Sequence, residues 1–224
     1  MEEFKKIKTF KSKKNQVELG YLGENLVVKK IFNGENDCFA EAQNYKKIEF
    51  NKPELIFQNN TSLYYGYIEG DTLADYITPL DKSCAKQILS FKNNIDLIKE
   101  INQAKIQGVN PLTPLMQKVA QLFFEALENN SFFISDVNLR NFIVHSSKIF
   151  IVDFEKIEKA NLGLLSSFLA FYLTNQPFMS DNKLASLNDF LSFFKKSFDL
   201  AEIIRETEKK VLSRCREKNL DCSL

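Results

Sequence analysis

The period of the hydrophobic pattern in this chain changes once, at Glu69-Gly70-Asp71. Before that point, apolar and β-branched residues gather in short runs between turn residues, as strands do. After it they recur mostly at three- and four-residue spacing, as helices do. The spacing predicts strands over 4–10, 16–22, 26–32, 54–57 and 62–68, and one helix over 36–47 capped by Asn36 or Asp37. Leu22-Gly23-Glu24-Asn25 reads as a tight turn. Beyond the break, Asp71 is expected to cap a helix over 72–77. Residues 83–107 are expected to form an interrupted helix, and Thr113-Pro114, a cap followed by proline at the first turn, to open another that ends near Asn129-Asn130. Two short strands, 141–144 and 148–152, join through His145-Ser146-Ser147, with His145 expected to be exposed and inert. Helices over 164–173 and 184–198 and a solvated, charged helix over 202–217 complete the chain. The fold class is α+β: a small β-rich part, residues 1–68, with a five-stranded sheet and one helix, and a larger helical part, residues 69–224.

Composition narrows the function classes. Of 224 residues, 44% are hydrophobic and 26% charged, which specifies a folded chain rather than a disordered one. A net charge of +1 argues against a nucleic-acid backbone as the main partner. The four cysteines, Cys38, Cys84, Cys215 and Cys222, show no CxxC spacing, and His145 is the one histidine. A zinc site or a disulfide framework is therefore not expected, and a reducing cytoplasm is the simpler setting. No apolar run reaches the roughly 20 residues of a membrane span, and MEEFKKIKTFKSKKN has no apolar core of a signal peptide. Peripheral membrane contact stays open. With 7 glycines, a long glycine-rich phosphate loop is not expected. Phe190, Phe193, Phe194 and Phe198 read as core packing.

The chemistry concentrates in residues 133–157, FISDVNLRNFIVHSSKIFIVDFEKI. If the reaction is phosphoryl transfer, each polar residue has a reason to be there. Asp136 can accept the proton of an acceptor hydroxyl. Asn141 and Asp153 can give oxygen ligands to Mg²⁺, which binds hard oxygen donors and keeps several waters.

In this segment the sequence resembles the protein-kinase-like superfamily. Asp136-x-x-x-x-Asn141 looks like its catalytic loop, and Asp153-Phe154-Glu155 like its metal-binding tripeptide. Upstream and in the right order, Val27-Val28-Lys29 looks like the lysine motif of the third strand, Glu41 like its helical ion-pair partner, and Tyr65 to Gly70 like the hinge. The resemblance implies a bilobal kinase-like fold that binds ATP and Mg²⁺. Adenine would lie against Val27 or its neighbours and the hinge backbone at Gly66 and Ile68. Lys29, oriented by Glu41, would neutralise phosphates, and Asp153 and Asn141 would hold the metal. Asp136 would serve as base. Lys29 is favoured over Lys30 for the phosphate-contacting role, with Lys30 the solvated neighbour, and Arg140, Lys11, Lys13 and Lys14 are further candidates to hold phosphate or an acidic acceptor.

Departures from the pattern bear on the acceptor. Ile134 stands where a histidine is usual, Glu155 replaces the glycine of the tripeptide, and no GxGxxG precedes the third strand. Helical periodicity resumes by Leu164, which leaves no long peptide-docking segment after Asp153. Similar losses, and a D-x-N-x-x-N loop, occur in small bacterial kinases of lipopolysaccharide sugars. The resemblance thus favours a small-molecule or glycan acceptor. The alternatives are a minimal protein kinase acting on a protein substrate, of the effector or tRNA-modification type, and a pseudokinase binding module.

Overall fold

The computed structural model describes residues 3–12, 14–82, 96–104, 109–175 and 180–217. Lys13, Cys84, Cys222 and most of the helix expected over 83–107 lie outside the described residues.

The first part begins with three antiparallel strands, β1 (Phe4–Phe10), β2 (Gln16–Leu22) and β3 (Asn25–Ile31). Gly23, at φ 60°, opens the two-residue turn that pairs Leu22 with Asn25, as a hairpin with glycine in its first position requires. Helix α1 (Glu35–Lys47) follows, then β4 (Leu55–Gln58) and β5 (Ser62–Gly66), in a sheet ordered β1-β2-β3-β5-β4. The expected side-chain cap of α1 is absent: the N-cap residue is Gly34, and Asn36 and Asp37 lie inside the helix. Glu35 and Asp37 instead favour its first turn by charge. The helix buries Cys38, Glu41 and Ala42.

The second part opens with β6 (Asp71–Thr72) and α2 (Leu73–Lys82). Thr72, not Asp71, caps α2: its Oγ1 accepts the Asp75 N–H at 3.2 Å and donates to the Asp75 carboxylate at 2.7 Å. Asp71 is a strand residue paired with Val144. Then come α3 (Leu97–Gln103), α4 (Thr113–Glu128), β7 (Phe132–Ile134), a 3₁₀ turn (Leu139–Asn141), β8 (Phe142–His145), β9 (Lys148–Ile151) and β10 (Ile157–Lys159). Helices α5 (Leu162–Thr174), α6 (Asp181–Ser192) and α7 (Leu200–Glu217) follow. Thr113 is the first residue of α4 rather than its cap, and its hydroxyl donates to Asp189 of α6 at 3.0 Å.

The β8–β9 turn holds Ser146 and Ser147 at φ 46° and 64°, the two positive angles a type I′ hairpin needs. Lys118 of α4 donates to the Ser147 carbonyl at 2.7 Å. His145 is half-buried rather than exposed, with its Nδ1 against the Glu69 carbonyl. Gly70 lies so close to this hairpin that a Cβ there would sit 2.3 Å from the Val144 carbonyl oxygen. The link between the parts is thus packed onto β8.

A single apolar core runs through both parts, from Phe32, Leu63 and Tyr65 to Phe123, Phe133, Phe142 and Phe168. Phe123 meets Phe133 and Phe168 at ring-centroid distances of 4.8 and 5.0 Å. Phe190 and Phe194 are buried as the sequence suggests, and Phe193 is on the surface. Helix α7 is amphipathic rather than solvated all round, burying Ile203, Thr207, Val211 and Cys215. Among the described residues, no helix is long and apolar enough to cross a membrane.

Candidate functional site

Successive side chains of a strand point to opposite faces, so β3 sends Lys29 and Lys30 in opposite directions. Lys29 does not reach Glu41. Its ammonium lies over the rings of Phe4 and Tyr64, 5.1 and 5.4 Å from their centroids, on the face opposite α1. Lys30 turns towards α1, where its Nζ donates to Glu41 Oε2 at 2.7 Å and to Asp153 Oδ1 at 2.7 Å, with Glu155 Oε1 at 3.2 Å. The pairing with Glu41 expected for Lys29 is made by Lys30 instead. By the same parity Val27 shares the face of Lys29, and Val28 that of Lys30.

Glu41 comes from the buried face of α1 and is 1% exposed. Its second oxygen accepts the Tyr65 hydroxyl at 3.2 Å, so both oxygens are engaged. Burial pushes the Glu41 carboxyl above its ordinary range, and Lys30 opposes this in part. Burial pulls the Lys30 ammonium down, but Glu41 and Asp153 outweigh it and hold its pKa above the usual value. Lys30 is therefore a fixed positive charge. Burial, then the Glu41 charge, pushes the Tyr65 phenol up, which keeps it a donor.

Asp153 follows the end of β9 and has φ 69°, a left-handed conformation that a short polar side chain tolerates better than most. Phe154, next in the chain, is buried and meets Tyr45 of α1 edge-on at 5.3 Å. Asn44 of α1 donates to the carbonyls of Phe154 and Glu155 at 3.0 and 3.2 Å. The segment that carries Asp153 is thus fixed against α1.

Asp136 and Asn141 share one loop. Asp136 is exposed, and its Oδ1 accepts the Asn138 N–H at 3.2 Å. The Asn141 amide donates to the Asp136 carbonyl at 2.9 Å, leaving its oxygen as the group able to meet a ligand. The Asn141 carbonyl accepts from Val152 N–H at 2.9 Å, joining this loop to the residue before Asp153. Of the expected backbone contacts, Gly66 ends β5 with its N–H on the Glu54 carbonyl at 2.8 Å, and Ile68 lies in the link beyond it. Tyr67 N–H bonds to the Leu26 carbonyl at 3.0 Å, which carries the pairing with β3 past the strand end.

The structure therefore brings Lys30, Glu41, Asp153 and Glu155 together and couples Asp136 to Asn141. Oxygens of Glu41, Asp153 and Glu155 lie within 4.8 Å of one another, and the Lys30 ammonium contacts all three carboxylates, so a divalent cation could join these donors only by displacing it. Two members were not legible in the sequence. Tyr65 is one of several aromatics in its run, and Asn15, which is buried and donates its side-chain amide to Glu155, closes a polar turn without any spacing that marks it as buried. No protein-family model matches the chain, and no curated protein matches it.

Proposed function

We propose that this chain is an ATP-dependent phosphotransferase with a hydroxyl group as acceptor, built on a bilobal kinase-like plan. The observation that carries the reading is Lys30, held by Glu41 from α1 while its ammonium reaches Asp153 from the second part. A buried lysine braced by one carboxylate and aimed at a second is equipped to neutralise phosphate oxygens beside a metal. Asp153 and the Asn141 side-chain oxygen would hold Mg²⁺, which when bound supplies charge neutralisation across the phosphates. Val28 and the backbone near Gly66 and Ile68 would bind the adenine. Asp136, exposed and positioned by the Asn138 N–H, would orient the acceptor hydroxyl and take its proton.

The acceptor class follows from what lies after Asp153. Only the short strand β10 separates this segment from α5, which begins at Leu162. That leaves little surface for an extended peptide and favours a small or glycan acceptor, such as a sugar hydroxyl of a lipopolysaccharide core, in the cytoplasm. A nucleotide-binding module without transfer is the second reading, favoured by the contact of Glu155 with Lys30.

Mass-spectrometric phosphate transfer from Mg-ATP, offering deacylated core oligosaccharide and generic proteins side by side, tests the reading. Thermal shift is followed in parallel, because a ligand of the folded state raises its Tm. Asp136→Ala should keep the Mg-ATP shift and lose transfer, and Asp153→Ala should lose both. A wild-type protein with no shift at millimolar Mg-ATP would sink the proposal.

A further inference from the structure

Glu155 takes three partners at once. Its Oε1 meets Lys30 Nζ at 3.2 Å and accepts from the Asn15 side-chain amide, and its Oε2 meets Lys14 Nζ at 3.2 Å. Lys14 and Asn15 belong to the turn between β1 and β2, and Glu155 belongs to the segment after Asp153. Asn15 is buried although it sits in a lysine-rich turn, so its amide points inwards. The Asn44 bonds to the Phe154 and Glu155 carbonyls fix the backbone at this carboxylate. With one end fixed, the side chain draws the turn down across Lys30. Burial would raise the Glu155 carboxyl, but Lys30 and Lys14 together hold it below its ordinary range, so it stays charged at neutral pH.

We propose that Glu155 is a latch that a ligand must displace, and that it thereby selects oligophosphates that arrive with a divalent cation. The inference rests on the phosphotransferase reading. Displacing Glu155 opens one contact on each of two ammonium groups, Lys30, which keeps Glu41 and Asp153, and Lys14, which keeps Asp37 at 4.0 Å. A single anionic group replaces one of these contacts. A di- or triphosphate carries adjacent anionic groups and replaces both. The charge count adds the cation requirement. Glu41, Asp153, Glu155 and Asp37 oppose Lys30 and Lys14, an excess of negative charge that repels a bare polyanion and accepts its metal complex.

Two readouts on Glu155→Gln and on Lys14→Ala test the latch. The first is hydrogen exchange at the Lys14, Asn15 and Gln16 amides without ligand. Both variants should exchange roughly tenfold faster than wild type there, as expected when a local tie is lost. The second is calorimetric binding of magnesium tripolyphosphate and of Mg-ATP. Glu155→Gln should bind both about three- to tenfold more tightly, and inorganic phosphate no better than wild type. Unchanged exchange in both variants overturns the latch, whatever the nucleotide does. Affinity that falls in Glu155→Gln only when magnesium is present overturns it by making Glu155 a metal ligand. Faster exchange with no Mg-ATP binding by any of the proteins overturns the phosphotransferase reading and the displacement step, but supports the tie itself.

Discussion

Lys29 and Lys30 are chemically identical neighbours, and one residue of strand parity separates a surface cation from the centre of the site. The ordered set of lysine, glutamate and two loop aspartates is legible in the sequence. Which lysine faces Glu41 is not, because Val27 and Val28 offer equally apolar company to either. The two lysines should separate cleanly on substitution. Lys30→Ala strips a buried glutamate of its cation and should cost about 3 kcal/mol in urea denaturation, the range for breaking one side of a buried pair. It should also abolish the Mg-ATP thermal shift. Lys29→Ala removes a cation resting on the rings of Phe4 and Tyr64 and should cost about 1 kcal/mol or less, with the shift retained. Equal effects of the two substitutions would refute the assignment of Lys30.

Among the described residues, the elements long enough to show a period match the sequence expectation to within a few residues, apart from the helix expected over 72–77, which runs from Leu73 to Lys82, and that expected over 184–198, which the structure has as Asp181–Ser192; the helix expected over 83–107 lies mostly outside the described residues. The elements missed were β6, β7 and β10, of two or three residues each, in which no alternation can be seen. These short strands exist because of partners far along the chain. β7 pairs with β10, and β6 with β8. The same distance hides the contact of His145 with Glu69, which fastens the turn of the β8–β9 hairpin to the link between the two parts. Gly70 is the point of closest approach in that arrangement. A methyl group there meets the Val144 carbonyl oxygen and the Ile143 side chain, and a backbone atom cannot simply rotate away. Gly70→Ala should therefore destabilise the protein by about 1–3 kcal/mol through overpacking. The loss should appear as a lower midpoint in urea at unchanged slope. A midpoint equal to wild type would show that the link has room to move off β8.

Viewed as a whole, the molecule has two parts by secondary structure and one by packing. The sequence divides at Glu69-Gly70-Asp71 because the hydrophobic period changes there, yet periodicity along a chain says nothing about which apolar faces later merge. In the fold they merge. Phe50, from the segment between α1 and β4, meets Phe133 of β7 at 5.6 Å, and Phe133 meets Phe123, which meets Phe168. The Asn51 carbonyl accepts the Ile151 N–H at 2.8 Å, so the backbones are also joined. Two parts that share a continuous core and are bridged by the Lys30–Asp153 ion pair cannot lose one without exposing apolar surface of the other, and so should unfold together. Phe168→Ala tests this from the helical side. The ring is fully buried among Phe123, Phe142 and Phe190, and its removal should cost about 3–5 kcal/mol. If the core is shared, the midpoint falls by the same amount when followed at the sheet, by hydrogen exchange of β3 and β5 amides in denaturant, as at α5. A calorimetric trace with two peaks, or β3 and β5 amides that keep wild-type protection while α5 loses it, would show that the sheet folds on its own.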